Sequence, residues 1–301
     1  MDREAAHSRI IELRAILEEN SRRYYVDNAP TMSDYEYDQL MHELEALEAD
    51  FPEFASADSP AAKVGSDLEK GREFVQRAHR YPMLSLGNTY SIQEVEEFSA
   101  RADKALGSSS FTYCCELKFD GTAICLTYKK GRLVQALTRG DGVVGDDVTE
   151  NARRISNIPQ VLHGDYPEEF EIRGEVLMPY AAFDRLNELR ALDEEQPFAN
   201  PRNAASGSLK LINPDEVAQR GLWCTLYHIP AQSLDFESHD QALSAAASWG
   251  LPVSDLRRIC RNIAEIKDFI DYWDVHRKEL PYATDGVVIK INEMAFQREL
   301  G

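Results

Sequence analysis

The chain has 301 residues, 43% of them hydrophobic, with 13 Tyr, 12 Phe and 3 Trp, which suits one large or two ordinary folded domains and excludes a disordered chain. Its net charge is −19, and residues 1–70 hold 17 acids against 7 Lys and Arg, so charge alone argues against a nucleic-acid partner. No apolar run is long enough to span a bilayer, and the N-terminal MDREAAHSRI has no apolar signal core, so a cytoplasmic protein without membrane contact is expected.

The first 50 residues read as helix, with Ile10, Leu13 and Leu17 and then Tyr37, Leu40, Met41, Leu44 and Leu47 recurring at helical spacing. DNAPTM interrupts the pattern, and Ser33 three residues before Glu36 forms a capping box that opens the second helix. DFPEFASADSP closes it, so residues 1–70 read as a small helical unit and 71–301 as a second domain. Beyond residue 71, FTYCCEL, TAICLTY, LVQALTR, EFEIRGEVLM, LWCTLYHI and GVVIKI have the alternation and the β-branched or aromatic content of strands, with KKGR as a hairpin turn. Helices are expected at SIQEVEEFSARADKAL, PYAAFDRLNELRAL, HDQALSAAASWG and IAEIKDFIDYWDVHRKEL. Hairpins interspersed with helices predict an α+β fold of antiparallel sheets flanked by helices.

The five cysteines are odd in number and form no C-x-x-C pair, and the seven histidines lack metal-ligand spacing. Reduced thiols and no structural metal site are expected. Charged residues fall inside three strands otherwise suited to burial. In CELKFDG, Glu116 and Lys118 share one strand face with Cys114, while Tyr113, Cys115 and Leu117 share the other. In EIRGEVLM, Glu171, Arg173 and Glu175 share a face; in DGVVIKIN, Val288 and Lys290 do. A single such strand reads as a solvated edge with an ion pair, but three together favour a polar ligand cleft. Gly121 would let the backbone approach a ligand closely. TRGDGVVGDDVTENARRI lacks P-loop and EF-hand spacing, and is best read as a Gly-rich turn presenting Arg139 to a ligand.

CELKFDG resembles the K-x-D-G motif of nucleotidyl transferases such as DNA ligases and capping enzymes. TRGDGVVGDDVTENARRI, RGEVLM, FANPRNAASGSLK, LYHIP and TDGVVIKIN then follow in the order and spacing of bacterial NAD-dependent DNA ligases, and the resemblance covers nearly the whole chain. It implies an adenylation domain in which Lys118 attacks the α-phosphate of NAD, forms lysyl-AMP and releases nicotinamide mononucleotide (NMN), the first step of nick sealing in replication and repair. By the same resemblance Glu116 and Lys290 contact adenine, with Ser85 and Leu86 in that pocket and Tyr227 stacked on the base, and Val288 is a further cofactor-binding residue. Arg139 and Glu175 hold the ribose side, Asp120 and Asp285 poise Lys118 or Mg²⁺, and Arg202 and Lys210 line the phosphate and nicotinamide side.

YYVDNAPTMSDYEYDQL resembles the segment by which this family grips the NMN half, so Tyr24, Tyr25, Asp34, Tyr37 and Asp38 join the expected cofactor-binding set. Asp34, Tyr37 and Asp38 stand at i, i+3 and i+4, so they can share one helix face. Read without the resemblance, the same residues are packing aromatics and helix-dipole acids. Tyr25 stands where many relatives have histidine, and Lys210 where many have arginine. The resemblance further implies a hinge near residues 60–75 and a chain that stops before the family's next motif lysine. The oligonucleotide-binding barrel, zinc, helix-hairpin-helix and BRCT regions would also be absent. Nicked DNA would then be a partner of the full-length enzyme, with weak or no DNA binding by this monomeric fragment. An ATP- or GTP-using member of the superfamily and a non-catalytic nucleotide-binding module are the competing readings.

Overall fold

The computed structural model describes residues 3–25, 31–56, 58–62, 74–107 and 110–300. The side chains of Tyr25 and Asp34, and most of the expected hinge at 60–75, lie outside the described residues. In chain order the elements begin with α1 (Arg3–Tyr25), α2 (Asp34–Asp50), β1 (Gln76–Ala78), α3 (Ile92–Leu106), β2 (Tyr113–Phe119) and β3 (Thr122–Lys129). Next come β4 (Arg132–Thr138), β5 (Val144–Asp146), α4 (Thr149–Ala152), β6 (Glu169–Leu177), α5 (Tyr180–Leu192), α6 (Pro201–Leu209) and α7 (Pro214–Gln219). The chain continues through β7 (Trp223–His228), α8 (His239–Ser248), β8 (Arg257–Cys260), α9 (Ile263–His276), β9 (Thr284–Ile291) and α10 (Met294–Leu300). Two compact units result: Met1–Leu86 with Thr138–Asp147, and Gly87–Leu137 with Val148–Gly301.

In the first unit the apolar stripes of α1 and α2 meet as their spacing dictates. Ile10, Leu13, Leu17 and Leu44 are fully buried, flanked by Tyr37, Leu40, Met41 and Leu47. The capping box forms: Glu36 N–H donates to Ser33 Oγ at 3.3 Å, and Ser33 N–H donates to Glu36 Oε2 at 3.0 Å. The Arg9 guanidinium forks onto both oxygens of Glu43, each at 2.7 Å, tying α1 to α2. The antiparallel pair β1–β5 belongs to this unit as well, and neither strand is anticipated by the sequence pattern, each being three residues long.

The second unit has two sheets, ordered β8-β2-β9 and β4-β3-β6-β7. β2 pairs antiparallel with both β8 and β9, and β6 with both β3 and β7. All six expected strands are present. KKGR makes the turn between β3 and β4, with Lys130 and Gly131 both at positive φ, as a two-residue hairpin requires. One face of β2 and β9 packs against α3 and α9 through Tyr113, Cys115, Ile291, Val95, Ile266 and Phe269, with Val287 and Ile289 alongside. The other face of those two strands is therefore free to carry charge. Among the described residues four helices escape the hydrophobic pattern: α4, α6, α7 and α10, of 4, 9, 6 and 7 residues. The first turn of α6 is nonetheless marked locally: Asn200 caps it by accepting from Asn203 N–H, and Pro201 opens it. No helix among the described residues is long and apolar enough to cross a membrane.

Candidate active site

The register of β2 against β9 sets Glu116 opposite Val288 and Cys114 opposite Lys290, so Cys114, Glu116, Val288 and Lys290 share the face turned away from α3 and α9. Lys290 Nζ donates to Glu116 Oε2 at 2.7 Å and to the carbonyl oxygen of Tyr227 at 3.0 Å, thereby joining the two sheets of the second unit. The ammonium lies 5.3 Å from the centre of the Tyr227 ring, a cation–π distance. Glu116 is only 6% exposed. Burial pushes its carboxyl group upward, but Lys290 and the neighbouring His239 outweigh burial and hold it at about 2, so it stays ionised.

Tyr227 owes its direction to an irregularity. Arg173 opposes His228 while Gly174 opposes Leu226, so Tyr227 is the extra residue of a bulge in β7. Its hydroxyl donates to Glu175 Oε2 at 3.1 Å. A second irregularity serves the lysine. Between Leu117 and Phe119 the register against β9 slips from Val287 to Thr284, leaving Asp285 and Gly286 opposite Lys118. Gly286 takes φ +108°, a conformation that side chains resist, and Asp285 is thereby brought to Lys118. The ion pair between Lys118 Nζ and Asp285 Oδ2 is half exposed, at 42% and 49%. Next to it, Arg202 Nη1 lies 3.2 Å from Asp120 Oδ1, so α6 delivers a second cation to the same end of β2. Gly121 has a packing reason within the chain: a Cβ there would stand 2.3 Å from the Val176 carbonyl oxygen and 2.7 Å from Leu177 Cδ2.

Lys118, Asp120, Asp285, Arg202, Glu116, Val288, Lys290, Tyr227 and Glu175 are thus brought together in the second unit. Lys210, at the C-terminal end of α6, belongs to that unit too and is buried, 6% exposed. Tyr24, Tyr37, Asp38, Ser85, Leu86 and Arg139 belong to the first unit. There Tyr37 packs against the helical core, with its hydroxyl 2.7 Å from Ser21 Oγ. Ser85 and Leu86 are exposed, and the Arg139 carbonyl accepts from His79 Nε2 at 3.0 Å. An open pocket of about 400 Å³ at the start of α2 is lined by Thr31, Met32, Tyr35, Glu36, Gln39 and Leu40, none of which is among the expected site residues.

The neighbour of the Glu116–Lys290 pair that sequence reasoning missed is His239. It is fully buried in the first turn of α8, with Nε2 2.9 Å from Glu116 Oε2 and 3.3 Å from Lys290 Nζ. Its one sequence signal is position: it shares the apolar stripe of α8 with Ala242, Leu243 and Ala246, where a histidine is out of character. Cys114, Glu116 and His239 could offer three ligand atoms within 4.8 Å of one another. The Lys290 ammonium already supplies positive charge at that point, and burial and Glu116 push the Cys114 thiol up to about 12, so a thiolate ligand is disfavoured.

Residues 71–301 match the family described as NAD-dependent DNA ligase adenylation domain, and residues 3–65 match the DNA ligase-like, N-terminal NAD+-binding domain. A DNA ligase of Parabacteroides distasonis is 54% identical over 295 residues, spanning 98% of this chain and 44% of the relative. DNA ligases of Phocaeicola vulgatus and Porphyromonas gingivalis are 53% and 47% identical over 294 residues, each again spanning 97% of this chain and 44% of the relative. The chain therefore spans less than half the length of the curated relatives it matches. With a part-exposed lysine set between carboxylates, a buried Glu–Lys pair beyond it and both family matches spanning the described elements, the chain belongs to the NAD-dependent DNA ligase adenylation family.

Proposed function

We propose that this chain is the NAD-binding, self-adenylating portion of a DNA ligase, and that Lys118 is its nucleophile. The observation that carries the reading is the arrangement along one face of β2 and β9. Lys118 faces Asp285 beside the Asp120–Arg202 pair, and the Glu116–Lys290 pair lies further along with the Tyr227 ring. A planar base fits the second end: Glu116 accepts, Lys290 donates, and the Tyr227 ring offers a stacking surface. The phosphates then fall toward Lys118 and Arg202, with Glu175 on the ribose side.

In the reaction, the Lys118 amine attacks the α-phosphorus of NAD. A P–N bond forms, the bridging P–O bond breaks, and NMN leaves with that oxygen and its electron pair. Before attack the ammonium must lose a proton, and Asp285 is the carboxylate in reach to take it. Arg202 faces the charge that develops on phosphate. The carboxylates of Asp120 and Asp285 are hard oxygen donors of the type Mg²⁺ prefers, although each is engaged by a protein cation, so they would hold the ion together with the substrate phosphates. Bound there, Mg²⁺ would neutralise phosphate charge. On the family resemblance, Ser85, Leu86 and Arg139 are also assigned to nucleotide binding, Lys210 to the phosphate side, and Tyr24, Tyr25, Asp34, Tyr37 and Asp38 to the NMN half. The whole protein would act as a monomer in the cytoplasm on nicked DNA, with most DNA contacts made by regions beyond the span shared here. Incubation with NAD and Mg²⁺ followed by peptide mass spectrometry should reveal AMP on Lys118. An adduct on another lysine would refute the assignment.

A further inference from the structure

The Glu116 carboxylate is buried and bonded to two partners on a single oxygen. Lys290 Nζ and His239 Nε2 both meet Oε2, at 2.7 and 2.9 Å, leaving Oε1 outside these contacts. His239 itself is 0% exposed, so no ligand can reach it, and it acts through its polar neighbours, Glu116 at 2.9 Å and Lys290 at 3.3 Å.

The imidazole is held rigidly from behind. Its own backbone N–H donates to the Asn292 carbonyl at 2.7 Å, and the following N–H, of Asp240, donates to Asn292 Oδ1 at 3.1 Å. Asn292 is fixed in turn to the start of β2, donating its N–H to the Thr112 carbonyl at 2.8 Å and its amide to Thr112 Oγ1 at 3.1 Å. Ser238 caps α8 by accepting from Gln241 N–H. The first turn of α8 is thus clamped to the end of β9, two residues beyond Lys290.

Which ring nitrogen carries the proton follows from the partners. Nδ1 is buried with no hydrogen-bond partner. A proton on Nδ1 would be a buried, unsatisfied donor and would turn a lone pair on Nε2 toward the carboxylate. A proton on Nε2 instead donates to Glu116 Oε2 at 2.9 Å and leaves Nδ1 as a bare acceptor; it forgoes only the longer 3.3 Å approach of Lys290 Nζ, so it is the cheaper of the two. His239 is then a neutral donor aimed at one oxygen of an ionised acid. Lys290 is a less rigid anchor, since its long chain divides three N–H groups between Glu116 and the Tyr227 carbonyl.

An ionised carboxylate only accepts hydrogen bonds. Held in place, it welcomes the exocyclic amine of adenine and repels the carbonyl oxygen that hypoxanthine carries at the same position. A carboxylate free to turn, or to take a proton, would tolerate both. We propose that His239 is a positioning residue that locks Glu116 as a fixed hydrogen-bond acceptor and so sets the selectivity for a 6-amino over a 6-oxo purine. The inference rests on the reading of Glu116 and Lys290 as the base end of the NAD site.

The test is calorimetric titration of the chain, wild type and variants, with NAD and with its hypoxanthine analogue, comparing the ratio of the two Kd values. His239→Leu should reduce the ratio roughly tenfold, the lower range for one hydrogen bond to a charged group. His239→Gln, whose amide nitrogen can stand near the site of Nε2, should retain the wild-type ratio within about threefold. Equal weakening of both ligands by His239→Leu, with the ratio unmoved, would show a merely structural histidine and overturn the proposal. If the Leu variant does not fold, His239→Asn, whose amide ends short of Glu116, decides in its place: a reduced ratio supports the proposal and an unmoved one overturns it. Wild-type protein that binds no NAD would sink the functional reading and this inference together, whereas NAD binding with an unmoved ratio sinks the inference alone.

Discussion

Replacing Lys290 with methionine should destabilise the second unit by about 3 kcal/mol, because it strands a carboxylate in a buried place. Lys290 and Glu116 are 13% and 7% exposed, so the pair is little screened by solvent. Glu116 is held at about 2 against an ordinary 4.5 although burial pulls the other way. That displacement corresponds to about 3 kcal/mol of preference for the ionised form. Methionine leaves burial and His239 and removes the cation, and breaking one side of a buried pair typically costs about 3–5 kcal/mol. All three tryptophans, Trp223, Trp249 and Trp273, lie in the second unit, so tryptophan fluorescence during urea unfolding reports on that unit. The double variant Glu116→Gln with Lys290→Met removes the stranded charge and should recover at least half of the loss. A single variant within about 1 kcal/mol of wild type, or a double variant no better than the single one, would refute the reasoning.

The same cluster fixes how stability depends on pH. Glu116 contributes fully above 4.5, and its share is lost as pH falls from there to about 2; Glu116→Gln should remove this leg of the urea-midpoint profile. Burial and then Lys290 lower His239 below 6.5, so the unfolded chain takes its proton first and stability declines as pH drops through 6.5; His239→Gln should make that decline shallower, the buried His228 keeping its own share. Lys118→Met should abolish the AMP adduct expected by mass spectrometry yet change the unfolding free energy by less than about 1 kcal/mol, since its half-exposed pair with Asp285 contributes little to stability. Asp285→Asn should slow adduct formation on the order of a hundredfold in a timed assay, and an unchanged rate would exclude it as the proton acceptor. Gly121→Ala should cost more than about 2 kcal/mol in the same unfolding assay, because its Cβ would meet the β6 backbone, and a near-neutral result would contradict that packing.

Local pattern already carried much of the architecture. The stripes of α1 and α2, the Ser33–Glu36 box, six strands, the KKGR turn and the sidedness of β2 and β9 are all short-range consequences of period and turn chemistry. Strands β1, β5 and β8 were illegible because three or four residues cannot display a period. In α6 the mix of Asn, Ser and Gly with small alanines obscured the helix, even though Asn200 and Pro201 mark its start.

Alternation alone could place Glu116 and Lys118 on one side of β2, because a strand sends every second side chain the same way. Their partners are another matter. Asp285 reaches Lys118 only through the slip in the β2–β9 register at Gly286, and Tyr227 turns toward Lys290 only because β7 bulges there. Residue 239 is 123 positions from residue 116 in the chain, yet its imidazole meets the carboxylate because the end of β9 clamps the first turn of α8. Period and turn chemistry act over a few residues and so can be read along the chain. Bulge position and long-range pairing depend on how whole elements pack, and appear only when those elements are brought together.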